Sequence, residues 1–295
     1  MQQLKNELAR IRNLLDAEFK KKLNLPEGKE KRLIEAMRYS AIGGGKAFRA
    51  FLVLTVGEIV GLNPKSALEI ATALEMVHTY SLIHDDLPAM DNDTMRRGKP
   101  TNHVQFDEAT AILAGDALLT NAFEILSCAE TNLPSEIRCQ LINFLAQSAG
   151  KTGMCGGQML DLIGEKESLN LEEVTRLQTK KTGALLRFAV VAPAIAVGAN
   201  EAIQKALEKY ATNIGLMFQM TDDILDIEGD EKLMGKTLGK DKKETKSTFV
   251  TLLGIEATRQ KAHDLGEEAK QALSIFGQKA NLLHLASDFI LERKN

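Results

Sequence analysis

A chain of 295 residues, 44% of them hydrophobic, is long enough to bury a sizeable core, and six prolines with no tryptophan argue against strand-and-turn repeats. A formal net charge of -3 excludes a general attraction to nucleic acid or an anionic membrane, so an anionic ligand needs a local basic pocket. The cysteines, Cys128, Cys139 and Cys155, lack the CxxC spacing of a zinc ribbon or redox pair and fit a reducing cytoplasm.

The N-terminal stretch MQQLKNELARIRNLLDAEFKKK has no unbroken apolar core and carries acids, so it predicts an amphipathic helix over 2–22 rather than a targeting segment. Apolar residues at three and four spacings predict helices over 27–42, 46–60 and 64–86, the last opened by Asn63 as cap and Pro64 at the first helical position. Further helices are expected over 106–128, 134–163 with a break near Gly153, and 171–198, where Asn170 and Glu173 form a cap. The remainder are expected over 201–227, 245–276 and 280–292. Alternating runs are nearly absent, and neither a linker nor a repeat divides the chain. An all-α single domain spanning 1–295 is predicted, a large bundle of about ten or more helices. The stretches 109–128 and 182–198 are apolar on nearly every face, which places them centrally and against a partner subunit. The most membrane-like run, Thr182 to Ala199, contains Arg187 and Pro193 and reads as a buried helix, not a span.

Two acidic clusters carry the chemistry. HDDLPAMDNDTMRRG holds Asp85, Asp86, Asp91 and Asp93, then Arg96 and Arg97. Alone, it would read as a solvated turn whose charges neutralise each other. FQMTDDILDIEGD puts Asp222 and Asp226 on one helical face, with Asp223 about 100° round from the first. Both clusters end long apolar helices before a breaker, Pro88 or Gly229. A helix C-terminus disfavours acids by roughly 0.3–1 kcal/mol each, so aspartates concentrated there require a compensating cation. All-oxygen donors point to a hard ion, foremost Mg2+, with substrate phosphates and water completing its shell. An EF-hand starting at Asp91 fails at Met95, Arg96 and Asn102, and a P-loop ending at Lys46 fails at Ser40 and Ala47. GGGKAFR sets Lys46 and Arg49 three apart at a helix start, where free amides and two cations make an anion site.

These blocks, with AILAGDALL, GGQMLD, KKTGALL, GKTLGKD and KST, run in order over residues 43–248 and together resemble the trans-isoprenyl diphosphate synthases, most closely the bacterial farnesyl type. The resemblance implies an isoprenoid-synthase helical bundle around a central substrate cavity, acting as a cytoplasmic homodimer without stable membrane insertion. It implies that Asp85, Asp86, Asp91, Asp222, Asp223 and Asp226 hold Mg2+, three ions when the allylic diphosphate is bound. Arg96, Lys181 and Lys236 match contacts to that diphosphate, with Lys246 nearby in role. Lys46, Arg49, His78 and Arg97 match the isopentenyl diphosphate pocket, and Thr182 and Gln219 lie near the developing cation. Gln158 and Asp161, three apart on one face, match a pair that supports the metal site. Alone, His78 would read as a core histidine and Gln158 as a packing amide.

The implied reaction is ionisation of dimethylallyl or geranyl diphosphate, attack by the isopentenyl double bond and proton loss to the released pyrophosphate. No Ser/His/Asp or Cys/His set competes with that mechanism. Ser81 lies one turn, about 5.4 Å, beneath Asp85 with Tyr80 beside it. The resemblance implies that Tyr80 and the extra residues of DDLPAMD cap the product at fifteen carbons, as farnesyl diphosphate. The alternatives are a geranylgeranyl or other short-chain synthase, a terpene cyclase and a non-catalytic partner subunit. A cyclase lacks the second basic pocket, and a partner subunit would have lost one aspartate motif. The chain departs from the family pattern at Ala47 and Ala50, where a basic residue and proline are usual, at Phe106–Asp107, and after KST, where no proline follows.

Overall fold

The computed structural model describes residues 1–228 and 246–293. Its first helix, α1 (Gln2–Lys22), buries Leu4, Leu8, Ile11, Leu15 and Phe19, a stripe three or four residues apart that lies on the bundle while the charged face meets water. Helices α2 (Lys31–Ala41) and α3 (Phe48–Val60) follow. Then comes α4 (Pro64–Asp85), whose Asn63 cap accepts the Lys65 amide as the sequence predicts. The expected helix over 46–60 starts two residues late because Ala47 is left-handed, with φ 51°.

A hairpin of β1 (Met95–Arg96) and β2 (Lys99–Pro100) turns through Arg97 and Gly98, both at positive φ, 53° and 74°. Two positive φ values are the signature of the tight turn that suits twisted strands, and an arginine there is unusual. After α5 (Asn102–Gln105), Asp107 caps α6 (Glu108–Ser127) by accepting the Thr110 amide at 2.7 Å, so the expected helix over 106–128 starts two residues late. The predicted break near Gly153 separates α7 (Ser135–Ala149) from α8 (Met154–Gly164).

The expected helix over 171–198 is α9 (Leu171–Gln178) and α10 (Ala184–Ala196) joined without interruption by a π turn, Thr179–Gly183. Helix α11 (Glu201–Glu228) carries the second acidic cluster near its described end. Gly254, at φ 82°, then splits the expected last long helix into α12 (Phe249–Leu253) and α13 (Ile255–Ala272). A 3-10 stretch leads to α14 (Asn281–Glu292).

Among the described residues the bundle is all-α apart from the hairpin, and α4 and α10 run through its centre, packed against α3, with α6 beside α4 and α7 beside α10. Phe51, Leu52, Leu74 and Phe188 are fully buried there, each contributing roughly 1.5–3 kcal/mol. Helix α10 is buried over nearly its whole length, as expected of 182–198. Helix α6 is not: it buries Ala111, Ala114, Leu118 and Ala122 but exposes Ile112 and Leu113. It is also α6, not the 182–199 run, that is long and apolar enough to cross a membrane among the described residues. A cavity of about 1340 Å³, including its open mouth, lies between α4, α8 and the π turn.

Candidate active site

Helix α4 delivers Asp85 to the mouth of that cavity at its C-terminus, as the breaker Pro88 predicts, and its C-cap Asp86 lines a neighbouring pocket with Arg96 and Arg97. The chain then folds back, and the Asp91 amide donates to the Asp85 carbonyl at 2.9 Å, returning the third acid to the first. Gln158 Nε2 donates to Asp85 Oδ1 at 2.9 Å. Burial pushes the Asp85 carboxyl up to about 6; the nearby Lys181 opposes that shift and Asp91 adds to it. Asp86 points elsewhere: Arg96 grips both its oxygens with Nε at 2.7 and 2.8 Å, and Asp93 lies 3.9 Å from the same guanidinium. Burial raises the Asp86 carboxyl even against that arginine.

On α11, Arg293 Nη2 lies 2.9 Å from Asp222 Oδ1, with its guanidinium 3.8 Å above the Phe218 ring. Asp223 is buried and accepts from Gln219 Nε2 at 3.0 Å and from the Phe249 amide at 2.8 Å, so it anchors the start of α12. Asp226 is half-buried one turn beyond Asp222. Thr182 Oγ1 donates to Gln219 Oε1 at 3.3 Å, which joins the π turn to the second acidic cluster.

Asp161 on α8 sits between two ammonium groups, Lys181 at 2.6 Å and Lys246 at 2.9 Å. Burial would raise its carboxyl, but the two lysines together hold it below the usual range. Lys181 reaches this position because α8 packs directly on the π turn: a Cβ on Gly157 would stand 2.2 Å from the Lys181 amide nitrogen. Lys236 lies outside the described residues.

The second basic set surrounds the start of α3. Arg49 Nη1 lies 3.2 Å from His78 Nε2, and burial followed by the charges of Arg49 and Arg97 keeps His78 well below its ordinary pKa, hence neutral. Arg97 extends from the hairpin tip across Gly44 and Gly45, where an added Cβ would meet its guanidinium at 2.6 Å. The glycine run is therefore a slot for an arginine as much as a turn. Not all the α3 amides expected to be free are free: Ala50 N donates to buried Glu75 at 3.0 Å, a bond that the family's proline could not make. Lys46 lies 5.4 Å over the Phe289 ring, and burial followed by the charge of Arg293 lowers its pKa.

Tyr80 lines the cavity, its hydroxyl 3.2 Å from Cys155 Sγ and its ring edge-on to His84. Ser81 turns its hydroxyl back to the His78 carbonyl at 2.9 Å. Reading the sequence alone misses Cys155, His84, Glu75, Gly157 and Arg293. Cys155 could have been found, because it continues the three-residue spacing of Gln158 and Asp161 down one face of α8.

Among the described residues no three acidic, histidine or cysteine side chains converge tightly enough to hold an ion unaided. The donor set nevertheless suits a hard divalent cation. Its acids are carboxylates, and half-buried Asp85 carries a pKa raised chiefly by lost solvation, a cost that a bound cation would offset. Magnesium keeps water and substrate oxygens in its shell, so it needs only one or two of these carboxylates per ion.

The polyprenyl synthetase family model matches residues 30–283. The chain belongs to the polyprenyl synthetase family. It is similar to the farnesyl diphosphate synthase of Micrococcus luteus, 47% identical over 98% of this chain and 99% of that one. It also resembles the geranylgeranyl diphosphate synthase of Cyanophora paradoxa, 45% identical over 92% and 91%. Among solved structures, a FPP/GFPP synthase from Zymomonas mobilis in its apo form superposes with a TM-score of 0.89 at 42% identity, covering 98% of this chain and 99% of that one. Polyprenyl synthetases named for fifteen- and twenty-carbon products are thus almost equally similar, and product length must be read from the cavity.

Proposed function

We propose that this polyprenyl synthetase is a Mg2+-dependent prenyltransferase that condenses isopentenyl diphosphate head to tail with dimethylallyl and then geranyl diphosphate, giving farnesyl diphosphate. One observation carries the reading: two separate cations, Lys181 on one side and Arg49 with neutral His78 on the other, open on one largely apolar cavity, with Lys246 held beside Lys181 on Asp161 and Arg97 in the adjoining pocket.

In this reading Asp85, Asp91, Asp222 and Asp226 would hold Mg2+, which when bound offsets the charge of the departing diphosphate. Asp86 and Asp223 act one step back, the first by aiming Arg96 and the second by anchoring α12. Asp161 presents Lys181 and Lys246 to the allylic diphosphate, with Lys236 and Arg96 as further contacts and Gln158 steadying Asp85. The leaving group needs such fixed positive charge, because ionisation concentrates negative charge on its oxygens. Lys46, Arg49 and Arg97 hold the other diphosphate, and neutral His78 accepts from Arg49 and keeps its guanidinium aimed. The Thr182 and Gln219 oxygens face the developing cation, while Leu87, Met90, Leu162 and Leu185 exclude the water that would quench it.

The released pyrophosphate takes the final proton, so no general-base side chain is required. Tyr80, with Ser81 above it, ends the shaft at fifteen carbons, and a geranylgeranyl product would require the floor to lie lower. The second basic pocket and the acids of DDILD argue against a terpene cyclase. Residues 1–295 form one synthase unit, pairing through the exposed Ile112 and Leu113 of α6 as a cytoplasmic homodimer. The purified chain, given Mg2+, isopentenyl diphosphate and each allylic diphosphate in turn, should release a fifteen-carbon product. Failure to condense any pair would overturn the proposal.

A further inference from the structure

The floor of the shaft involves more than Tyr80. A buried tyrosine places its ring in apolar surroundings but needs a partner for its hydroxyl. Here that partner is Cys155 Sγ at 3.2 Å, on a different helix. The ring's orientation is set from the other side. Its edge meets His84 with ring centroids 5.4 Å apart, and His84 Nε2 lies 3.1 Å from the Ile112 carbonyl. His84 can lie so close to α6 only because residue 115 is glycine: a Cβ there would stand 2.2 Å from Nε2. Tyr80 is therefore a bar supported at both ends, by α6 through His84 and by α8 through Cys155.

Helix α8 bears a second rung between the same two helices, Gln158 to Asp85 at 2.9 Å. The upper rung sits at the diphosphate end and the lower one at the floor. Five residues of α4 separate them, a rise of about 7.5 Å. Cys155, Gln158 and Leu162 all line the cavity, and Cys155 is exposed to it in the free protein.

We infer that Cys155 is a specificity-determining residue: by holding the Tyr80 hydroxyl it keeps the phenol across the shaft and fixes where chain growth stops. The inference rests on the prenyltransferase reading above and deepens it. Without the sulfur contact the phenol is freer to swing aside, and the shaft is open to a longer chain for part of the time. Losing one net hydrogen bond, at tenfold per ~1.4 kcal/mol, predicts an about two- to tenfold rise in the ratio of twenty- to fifteen-carbon product.

The test measures that ratio by chromatography of the dephosphorylated products from Cys155→Ala, Cys155→Ser and Tyr80→Phe, with isopentenyl and geranyl diphosphates as substrates. Cys155→Ala and Tyr80→Phe should raise the ratio alike. Cys155→Ser, which restores a hydrogen-bonding atom, should return it toward that of the natural chain, a rescue that loss of packing alone would not give. In a Tyr80→Ala background, Cys155→Ala should add nothing, because the group it positions is gone. An unchanged ratio in Cys155→Ala overturns the inference. If that variant is insoluble, an unchanged ratio in Tyr80→Phe overturns it equally. No condensation by the natural chain would instead overturn the prenyltransferase reading itself.

Discussion

Gly157→Ala sets two well-understood effects against each other. In an exposed helix the change should stabilise, since alanine is favoured over glycine by about 0.8–1.0 kcal/mol. In α8 the new Cβ would stand 2.2 Å from the Lys181 nitrogen, 2.6 Å from its Cα and 2.8 Å from the Lys180 carbonyl carbon. All three are backbone atoms, so no side chain can swing aside, and α8 and the π turn must part by about an ångström to reach ordinary contact. Overpacking of this kind costs roughly 1–3 kcal/mol, so the net change is a loss of up to about 2 kcal/mol. The larger effect is on chemistry, because the gap opens between Asp161 and the Lys181 it holds at 2.6 Å. A misplacement of about 1 Å at reacting groups lowers rate by roughly a hundredfold. Thermal melts read the first effect, and steady-state incorporation of labelled isopentenyl diphosphate reads the second. A variant that melts higher than the natural chain and keeps its kcat/KM would refute the close-packing argument.

Other predictions concern single groups. Tyr80→Ala should lengthen the product beyond fifteen carbons, and an unchanged fifteen-carbon product would remove Tyr80 from the floor. Asp161→Asn should lower kcat/KM for the allylic diphosphate about 10- to 100-fold, the range seen when a group that orients ligating residues is lost; an equal rise in KM for both substrates would contradict its assignment to one site. Gly45→Ala should raise KM for isopentenyl diphosphate more than it lowers kcat, since the added methyl meets Arg97 and the backbone is at φ 66°; a change in kcat alone would count against it. Asp85 sets a pH dependence. Its carboxyl titrates near 6 in the folded chain, above the unfolded value, so the ionised form costs stability above that pH and the metal-free chain gains stability as pH falls through it. Metal binding needs the ionised form, so apparent Mg2+ affinity by calorimetry should fall about fourfold between about pH 7.5 and pH 5.5. Equal affinity at both values would show that Asp85 is not a ligand.

Helix existence was legible wherever an apolar stripe met a capping residue, as at Asn63–Pro64 and Asn170–Glu173, because both signals are local. The places where boundaries moved are those where tertiary contact prevails: Ala47 turns left-handed ahead of α3, and Asp107 starts α6 anew. The acids and bases that the described structure gathers at the candidate site could be named from the sequence, but their pairings could not. Nothing in HDDLPAMDNDTMRRG says that Arg96 folds back onto Asp86 while Arg97 crosses a glycine slot, since that depends on a hairpin turn with two positive φ values. Glu75 was invisible for a related reason. Mid-helix it reads as an ordinary acid, and only the fold brings it to the Ala50 amide, where the missing proline matters.

The π turn at Thr179–Gly183 makes the site depend on counting. A π turn is an α-helix carrying one residue too many, so α10 leaves it rotated by about 100° from where an uninterrupted α9 would have pointed it. Lys181 and Thr182 sit on that surplus, the first turned toward Asp161 and the second toward Gln219. Deleting any one residue of the five would let the helix heal into regular winding with its backbone hydrogen bonds restored, but without the Lys181–Asp161 and Thr182–Gln219 contacts. The healed chain would still carry its aspartate motifs, yet α10 would meet its neighbours with the wrong face. In this stretch sequence length is itself a functional element, one that a search for conserved side chains would pass over.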